Sequence, residues 1–280
     1  MLLDYKNLRN KYLKYFDNDE HYCDFVLADV VFGFSEIYYF LNKNNVSSVL
    51  EIGSGTGILL NELKENFPNI QFSGIDPNIS GFHNLKTVIS KLNKDGYNIK
   101  VESTGVEKYS SDKKFDLIFS INVFEHVEDQ VQYLLKTHQL LNKNGLNIIL
   151  CPNYDFPYEP HFVIPIIINK EFTYKIFKKK IINHEAKTNE LGLWEGLNFC
   201  SKKKIKDYLK KNNFDHQFDL TIAKRFLERI DNDDSSYFKK RQGIAAKIAK
   251  IAKKIHLDIL IFNFFKIPFP YMKIIIRKNT

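Results

Sequence analysis

The sequence predicts an α/β fold in which a doubly wound, mostly parallel sheet carries helices on both faces. Two observations support this prediction. Apolar segments typical of strands alternate with helical patterns between residues 46 and 151. The first of them, Val49–Ile52, runs directly into the glycine-rich segment Gly53–Gly57 and then into a helical pattern. Because such folds bind ligands at the carboxyl ends of their strands, we expect the functional site at that edge of the sheet.

The glycine-rich loop is suited to a close approach between backbone and ligand. Gly53, Gly55 and Gly57 permit the tight turn that this approach requires. Dinucleotide-binding enzymes and plain strand-to-helix turns contain similar loops, so the glycines alone do not identify the ligand. Glu51, just before the loop, favours a ligand with a positive charge over one that binds through a phosphate.

The segment Val49–Gly57 resembles motif I of the class I S-adenosylmethionine-dependent methyltransferases. Further segments match this family in order: the strand Gln71–Ile75 followed by Asp76, the turn Thr104–Glu107, the strand Phe115–Ile121 followed by Asn122–Asp129, and the strand Gly145–Cys151. The resemblance implies a Rossmann-like methyltransferase fold, with a seven-stranded, mostly parallel sheet, an antiparallel last strand and helical additions. It also implies S-adenosyl-L-methionine as the cofactor and S-adenosyl-L-homocysteine as the product.

The resemblance assigns cofactor binding to residues that follow the strands. Asp76 is expected to accept hydrogen bonds from both ribose hydroxyls. The predicted cofactor-binding residues are Glu51, Gly53, Ser54, Gly55, Gly57, Asp76, Pro77, Gly105, Val106 and Asn122.

We predict that all 280 residues form a single methyltransferase domain in four segments. These segments are a helical cap (1–45), the cofactor-binding core (46–152), an acceptor-side insertion (153–215), and the C-terminal strands with a basic helical insertion (216–280).

The predicted elements include a helix over Asn78–Leu92, a helix that ends at Lys143–Gly145, a helix capped by Ser201, a sixth strand over His216–Ala223 and a seventh over Tyr271–Arg277. A stripe of Ile244, Ile248, Ile251 and Ile255 predicts an amphipathic helix that packs on its own domain, lies on an anionic membrane or binds a partner helix.

The segment Cys151–Pro165 contains four prolines, which exclude a helix and predict a rigid loop after the fifth strand. It resembles a loop of bacterial methyltransferases of surface-glycan biosynthesis, and in the family such loops form the acceptor side of the pocket. We predict His161 as the general base, and the alternatives are His126, Tyr154, Asp155 and Glu159. The predicted acceptor-binding residues are Asn153, Tyr154, Asp155, Glu159 and Trp194, although Trp194 also suits the core. No metal is predicted.

The charge distribution bears on the acceptor. Residues 1–160 hold 15 basic and 21 acidic residues, whereas residues 161–280 hold 26 and 12. A basic second half favours an anionic acceptor, although solvated lysines would give the same counts. We predict methylation of a hydroxyl on a small, anionic sugar or glycan-linked acceptor in surface-polysaccharide biosynthesis. The alternatives are RNA methylation, for which the sequence offers no dedicated motif, and O-methylation of a quinone precursor.

The cysteines and the N-terminus indicate the compartment. Cys23, Cys151 and Cys200 are widely spaced and predict neither a disulfide framework nor a zinc site. The N-terminal residues mix charges among apolar side chains, unlike a secretory signal. We therefore expect a cytoplasmic enzyme, and the sequence leaves its oligomeric state open.

Overall fold

The structure is a computed structural model that describes residues 3–77, 85–97, 100–188, 190–232 and 269–279. It consists of two compact units. One comprises Met1–Asn44 and Leu220–Phe269, and the other comprises Asn45–Asp219 and Pro270–Thr280. The predicted organisation as one domain in four segments stays a prediction.

The helices α1 to α9 span Tyr5–Tyr12, Glu20–Lys43, Ile58–Asn66, Leu85–Lys94, Gln130–Leu140, Lys170–Thr188, Leu193–Gly196, Lys202–Lys211 and Ile222–Asn232. Single 3₁₀ turns lie at Leu13–Phe16 and Phe124–His126. The strands β1 to β9 span Ser48–Ile52, Gln71–Ile75, Val101–Glu102, Phe115–Ile121, Leu141–Pro152, Tyr158–Glu159, Ile164–Pro165, Asp215–Phe218 and Tyr271–Arg277. Of the described helices, none is both long and apolar enough to cross a membrane.

The larger unit is built on a seven-stranded sheet with the order β3-β2-β1-β4-β5-β9-β8. Strands β1 to β5 run parallel, and β9 is antiparallel to both β5 and β8. The predicted fold, including the antiparallel last strand, is confirmed. Strands β1, β4 and β5 are almost entirely buried, as expected for the centre of a sheet covered on both faces. Three segments follow the carboxyl ends of these strands and lie at the same edge of the sheet: the glycine loop, residues 122–129 and the proline-rich loop.

Two predicted boundaries are wrong. Helix α5 ends at Leu140 and β5 begins at Leu141, so there is no helix end at Gly145. The backbone N–H of Asn144 donates to the carbonyl of Lys278 at 2.7 Å, which holds this segment in the sheet. Strand β8 stops at Phe218, and the predicted continuation to Ala223 instead starts α9, where the N–H of Arg225 donates to the carbonyl of Thr221.

Some predicted elements lie partly or wholly outside the described residues. The predicted helix over Asn78–Leu92 is described from Leu85 onward, as α4. The stripe from Ile244 to Ile255 lies entirely outside them.

The predicted N-cap at Ser201 is confirmed, since its side chain accepts a hydrogen bond from the N–H of Lys204 in α8.

The smaller unit contains a partly buried ion pair between two of its helices. Glu36 on α2 is almost fully buried, and both of its carboxylate oxygens accept hydrogen bonds from the guanidinium of Arg225 on α9 at 2.7 Å. Arg229 adds a bond to the carbonyl of Ala28 at 2.7 Å. These charge-assisted contacts hold α9 against α2.

Candidate active site

The glycine loop joins β1 to α3 at the carboxyl edge of the sheet. Gly53, Gly55 and Gly57 all adopt positive φ, at 70°, 50° and 75°. The N–H groups of Gly53 and Ser54 donate to the carbonyl of Ile75 at 2.8 and 3.1 Å, which fixes the loop to the end of β2. A Cβ on Gly53 would lie 2.2 Å from Cγ2 of Val123, so the residues after β4 pack directly on the loop.

Two carboxylates border this loop. Asp76 follows β2 and accepts a hydrogen bond at 2.9 Å from the N–H of Gly55. Glu51 lies in β1 with its side chain buried, and its Oε2 has no hydrogen-bond partner among the described residues. Burial, followed by the negative charge of Asp76, raises the pKa of Glu51 well above its usual value. The loop therefore has one carboxylate that contacts its backbone and one whose Oε2 meets no partner in the described part of the chain.

The other predicted cofactor-binding residues lie near the ends of β2, β3 and β4. Pro77 is exposed beside Asp76. Gly105 begins a turn after β3, and the side chain of Val106 is buried in the core. Asn122 follows β4 with a φ of 55°, and its Oδ1 accepts a hydrogen bond from the hydroxyl of Tyr271 at 2.7 Å. The sequence did not indicate this role for Tyr271.

The proline-rich loop divides into two parts. In the first part, the Oδ1 of Asn153 accepts hydrogen bonds from the N–H groups of Asp155 and Lys202 at 3.2 Å. Asp155 accepts from the hydroxyl of Ser201 and from the N–H of Lys203. Both side chains thus bind the first turn of α8, where free N–H groups favour such acceptors.

In the second part, β6 and β7 form a short hairpin that carries Glu159 and His161. The Nδ1 of His161 lies 2.6 Å from Oε1 of Glu159, and the phenol of Tyr154 donates to the same oxygen at 3.2 Å. The N–H of Phe162 donates to Oε2 at 2.7 Å. Burial alone would raise the pKa of Glu159, but the charge and hydrogen bond of protonated His161, together with the backbone N–H groups of Phe162 and His161, outweigh burial and lower the pKa. Glu159 is thus a buried, ionised partner of His161.

The segment after β4 meets this hairpin. Glu125 is fully buried, with Oε1 4.0 Å from Nε2 of His161, and the ring of His126 lies 5.3 Å from that of His161. Burial, followed by the charge of His161, lowers the pKa of His126 to about 3, so His126 stays neutral. Glu125, His126 and His161 place potential metal-ligand atoms within 4.8 Å of one another. We call Glu125, His126, Glu159 and His161 the acceptor cluster.

Asn198, which the sequence did not indicate, supports the acceptor cluster from the side. Its backbone N–H donates to the carbonyl of Glu125 at 2.8 Å. Its side-chain amide donates to the carbonyls of Phe124 and Val127 at 2.8 and 2.9 Å. These bonds hold the 3₁₀ turn that carries Glu125 and His126.

Comparison with known proteins identifies the family. Residues 27–217 match a family model described as a methyltransferase domain, which is more than half of the chain. The chain belongs to the class I S-adenosylmethionine-dependent methyltransferases. Methyltransferases of this class take the methyl group from S-adenosylmethionine and release S-adenosylhomocysteine, so the cofactor that the motifs predicted is confirmed for the family.

Several relatives are similar over different parts of this methyltransferase. The uncharacterized protein Rv1509 of Mycobacterium tuberculosis is 28% identical over 222 residues, which cover 75% of this chain and 72% of the relative. Malonyl-[acyl-carrier protein] O-methyltransferase 1 of Ilyobacter polytropus is 33% identical over 98 residues, 35% of each chain. The ubiquinone biosynthesis O-methyltransferase of Rickettsia typhi is 30% identical over 111 residues, 39% of this chain and 43% of the relative.

A solved structure is similar in fold. Phosphoethanolamine N-methyltransferase 2 of Haemonchus contortus, crystallised with S-adenosyl-L-methionine, matches with a TM-score of 0.52 and 16% identity. The match covers 87% of this chain and 51% of that chain. At this identity the likeness supports the methyltransferase fold alone.

Trp194 lies in the core of the acceptor-side insertion. It is 4% exposed and packs with Phe162, Ile164, Ile181 and Leu197 in a group that we call the Trp194 cluster. Its ring contacts that of Phe162 at 5.5 Å between centroids. The core interpretation of Trp194 therefore fits its surroundings, and its predicted contact with the acceptor stays a prediction.

Proposed function

We propose that this methyltransferase transfers a methyl group to a hydroxyl of a small, anionic sugar or glycan-linked acceptor. The observation that carries this proposal is the buried pairing of Glu159 with His161 in the loop after β5. A hydroxyl needs a proton acceptor when it attacks a methyl group, and a histidine oriented by a carboxylate suits that role.

The contacts of His161 support its role as the base. The carboxylate of Glu159 favours a proton on Nδ1 of His161, so the neutral imidazole keeps its lone pair on Nε2. The same carboxylate stabilises the positive charge that the imidazole acquires when it takes up a proton. Tyr154 helps to hold Glu159 in place, since burial raises the pKa of this phenol and keeps it a hydrogen-bond donor.

We propose that the glycine loop, Glu51 and Asp76 hold S-adenosylmethionine. The unpartnered Oε2 of Glu51 supports this, because a buried carboxylate suits the ammonium group of the cofactor. When bound, the cofactor supplies an electrophilic methyl group on a sulfonium. The protein's own contribution is to exclude water, align the hydroxyl and accept its proton, and alignment alone can be worth about 7 to 11 kcal/mol.

The pH dependence of cofactor affinity tests the role of Glu51. A ligand ammonium favours the ionised carboxylate, so binding must expel a proton wherever Glu51 is protonated. Since the pKa of Glu51 is raised, we expect affinity for S-adenosylhomocysteine to fall as the pH is lowered, beginning above the usual range of a glutamate. Calorimetric titration at several pH values measures this.

Glu51→Gln provides the comparison for that titration. The variant should bind S-adenosylhomocysteine more weakly at neutral pH and with a flatter pH dependence. If wild type and variant respond alike to pH, Glu51 does not contact the ammonium.

The charge of the segment that begins at His161 supports an anionic acceptor. Residues 161–219, which follow His161 in the same unit, carry 12 lysines and seven acidic residues. Such an excess attracts anions and raises their local concentration. A carboxylate or phosphate on the sugar would supply the complementary charge.

O-methylation of a quinone precursor is the second candidate function. The local similarity to the ubiquinone biosynthesis O-methyltransferase of Rickettsia typhi favours it. The Glu125–His126 segment also fits methylation of a quinone precursor, since the acceptor cluster could supply the base for a phenolic hydroxyl.

A labelled-methyl assay separates the two functions. Purified protein would be incubated with methyl-labelled S-adenosylmethionine and either anionic sugars, their neutral counterparts, dihydroxylated aromatic acids or RNA. We expect label in an anionic sugar and much less in its neutral counterpart. Label confined to the aromatic acids would support the second candidate, and label confined to RNA would contradict both.

Removal of metal ions tests whether Nε2 of His161 is the base, because a nitrogen bound to a metal cannot accept the proton. We expect turnover to be unchanged after treatment with EDTA. Loss of turnover that manganese, magnesium or zinc restores would instead make Glu125, His126 and His161 metal ligands.

A further inference from the structure

Helix α6 exposes an apolar row to solvent. Phe172 and Ile176 are 42% and 51% exposed, and their spacing of four residues places them along one side of the helix. Ile168, which precedes the start of α6 by two residues, is 83% exposed. Large apolar side chains exposed in and just before one helix are costly in water unless another surface covers them.

The opposite side of α6 already supplies the packing that the fold needs. Ile181 is fully buried, and Tyr174 and Phe177 pack against the Trp194 cluster. The helix is thus apolar on both sides, unlike an ordinary surface helix with one apolar stripe. Packing in the core therefore does not account for the exposed apolar side chains on the outer side of α6, which we call the outer row.

Lysines flank the outer row. By helical position, Lys175 and Lys179 lie on one side of Phe172 and Ile176, and Lys180 lies on the other. All three are exposed. Over its length α6 carries six lysines and two glutamates. An apolar row between lysines complements a surface with an apolar interior beneath negative charges.

This surface of α6 adjoins the proline-rich loop that carries His161. The ammonium of Lys180 donates to the carbonyl of Val163 at 2.9 Å, two residues after His161. The hydroxyl of Thr173 accepts from the N–H of Ile167 at 2.8 Å, at the start of the segment between β7 and α6. Helix α6 and the hairpin that carries His161 are therefore held together.

We propose that Ile168 and helix α6 bind the surface of an anionic phospholipid membrane. Phe172 and Ile176 enter the headgroup region, and the lysines contact lipid phosphates. A nucleic acid would match the lysines but would leave the apolar row exposed. A second copy of this face would bring lysines against lysines. The membrane alone complements both features, and it would present a lipid-linked acceptor beside His161 if the proposed function holds.

Vesicle co-sedimentation with the full chain tests this inference. The vesicles contain equal parts phosphatidylglycerol and phosphatidylcholine, or phosphatidylcholine alone. We expect binding to the anionic vesicles only, weakened by added salt. Two double variants are compared with the wild type. One carries Phe172→Ser and Ile176→Ser, the other carries Lys175→Glu and Lys179→Glu, and each of these variant pairs should weaken binding at least tenfold. Charge reversal at the exposed Lys206 and Lys210 of α8 is the matched control and should leave binding within about twofold.

The outcomes distinguish this inference from the proposed function. Binding of S-adenosylhomocysteine by each variant shows that it is folded, and turnover of a soluble acceptor reports the catalytic function alone. Absence of vesicle binding by the wild type would overturn the inference. So would vesicle binding that survives both variant pairs, because the contact would then lie elsewhere in the chain. Binding to an oligonucleotide that is insensitive to the Phe172 and Ile176 substitutions, without binding to vesicles, would also overturn it.

Discussion

Replacing His161 by alanine is expected to lower turnover by at least tenfold and by up to about 10⁴-fold, the usual contribution of a general base. Affinity for S-adenosylhomocysteine should stay the same, because the proposed cofactor contacts lie in the glycine loop and at Asp76. The physical reason is that the attacking hydroxyl loses the acceptor of its proton. Single-turnover kinetics with labelled S-adenosylmethionine measure the chemical step directly.

Two further variants make this experiment specific. His216→Ala removes a histidine of β8 that bonds the carbonyl of Phe214 outside the acceptor cluster, and it should retain turnover. Glu159→Gln keeps the size of the side chain but removes the charge that orients His161, so its turnover should lie between wild type and His161→Ala. If His161→Ala turns over normally, His161 is not the base.

Substitution of Gly55 by alanine is expected to reduce affinity for S-adenosylhomocysteine at least tenfold. Gly55 has a φ of 50°, and a Cβ there would meet no described atom within 4 Å. The space that this Cβ would enter is the space that we assign to the cofactor. The loss should therefore reflect a steric conflict with the ligand rather than one with the protein.

Gly96→Ala is the matched control. Gly96 also has a positive φ, of 87°, and a Cβ there likewise meets no described atom within 4 Å. Both substitutions carry the same backbone cost of about 1 to 2 kcal/mol, visible as a similar loss of thermal stability. Calorimetry should show that only Gly55→Ala loses affinity. Equal affinity in the two variants would remove the cofactor from this side of the loop.

The cofactor half of the fold was predictable because its signals are local. Strand β1, the turn at Gly53–Gly57 and α3 follow from an apolar run, glycines and a helical period within a few consecutive residues. The start of β5 was not predictable, because Asn144 is held in the sheet by a bond to Lys278. A pairing over such a distance in sequence leaves no local pattern.

The acceptor cluster was predictable only in part. Prolines indicated a rigid loop around His161, and a histidine there suggested a base. Its proximity to Glu125 depends on β4 and β5 ending side by side, which is a property of the sheet. The position of Asp155 in this loop predicts contact with the acceptor, and that stays a prediction. The sequence did not indicate its contact with the first turn of α8, because that partner is brought close only by folding.

The central claim is that the acceptor cluster serves a hydroxyl nucleophile on an anionic sugar. The most direct measurement is nuclear magnetic resonance of the product formed with ¹³C-methyl S-adenosylmethionine. The account predicts a methoxy carbon attached to a sugar that carries a carboxylate or a phosphate. A methyl group on nitrogen, sulfur or carbon, or a methoxy group on an aromatic ring, would contradict it.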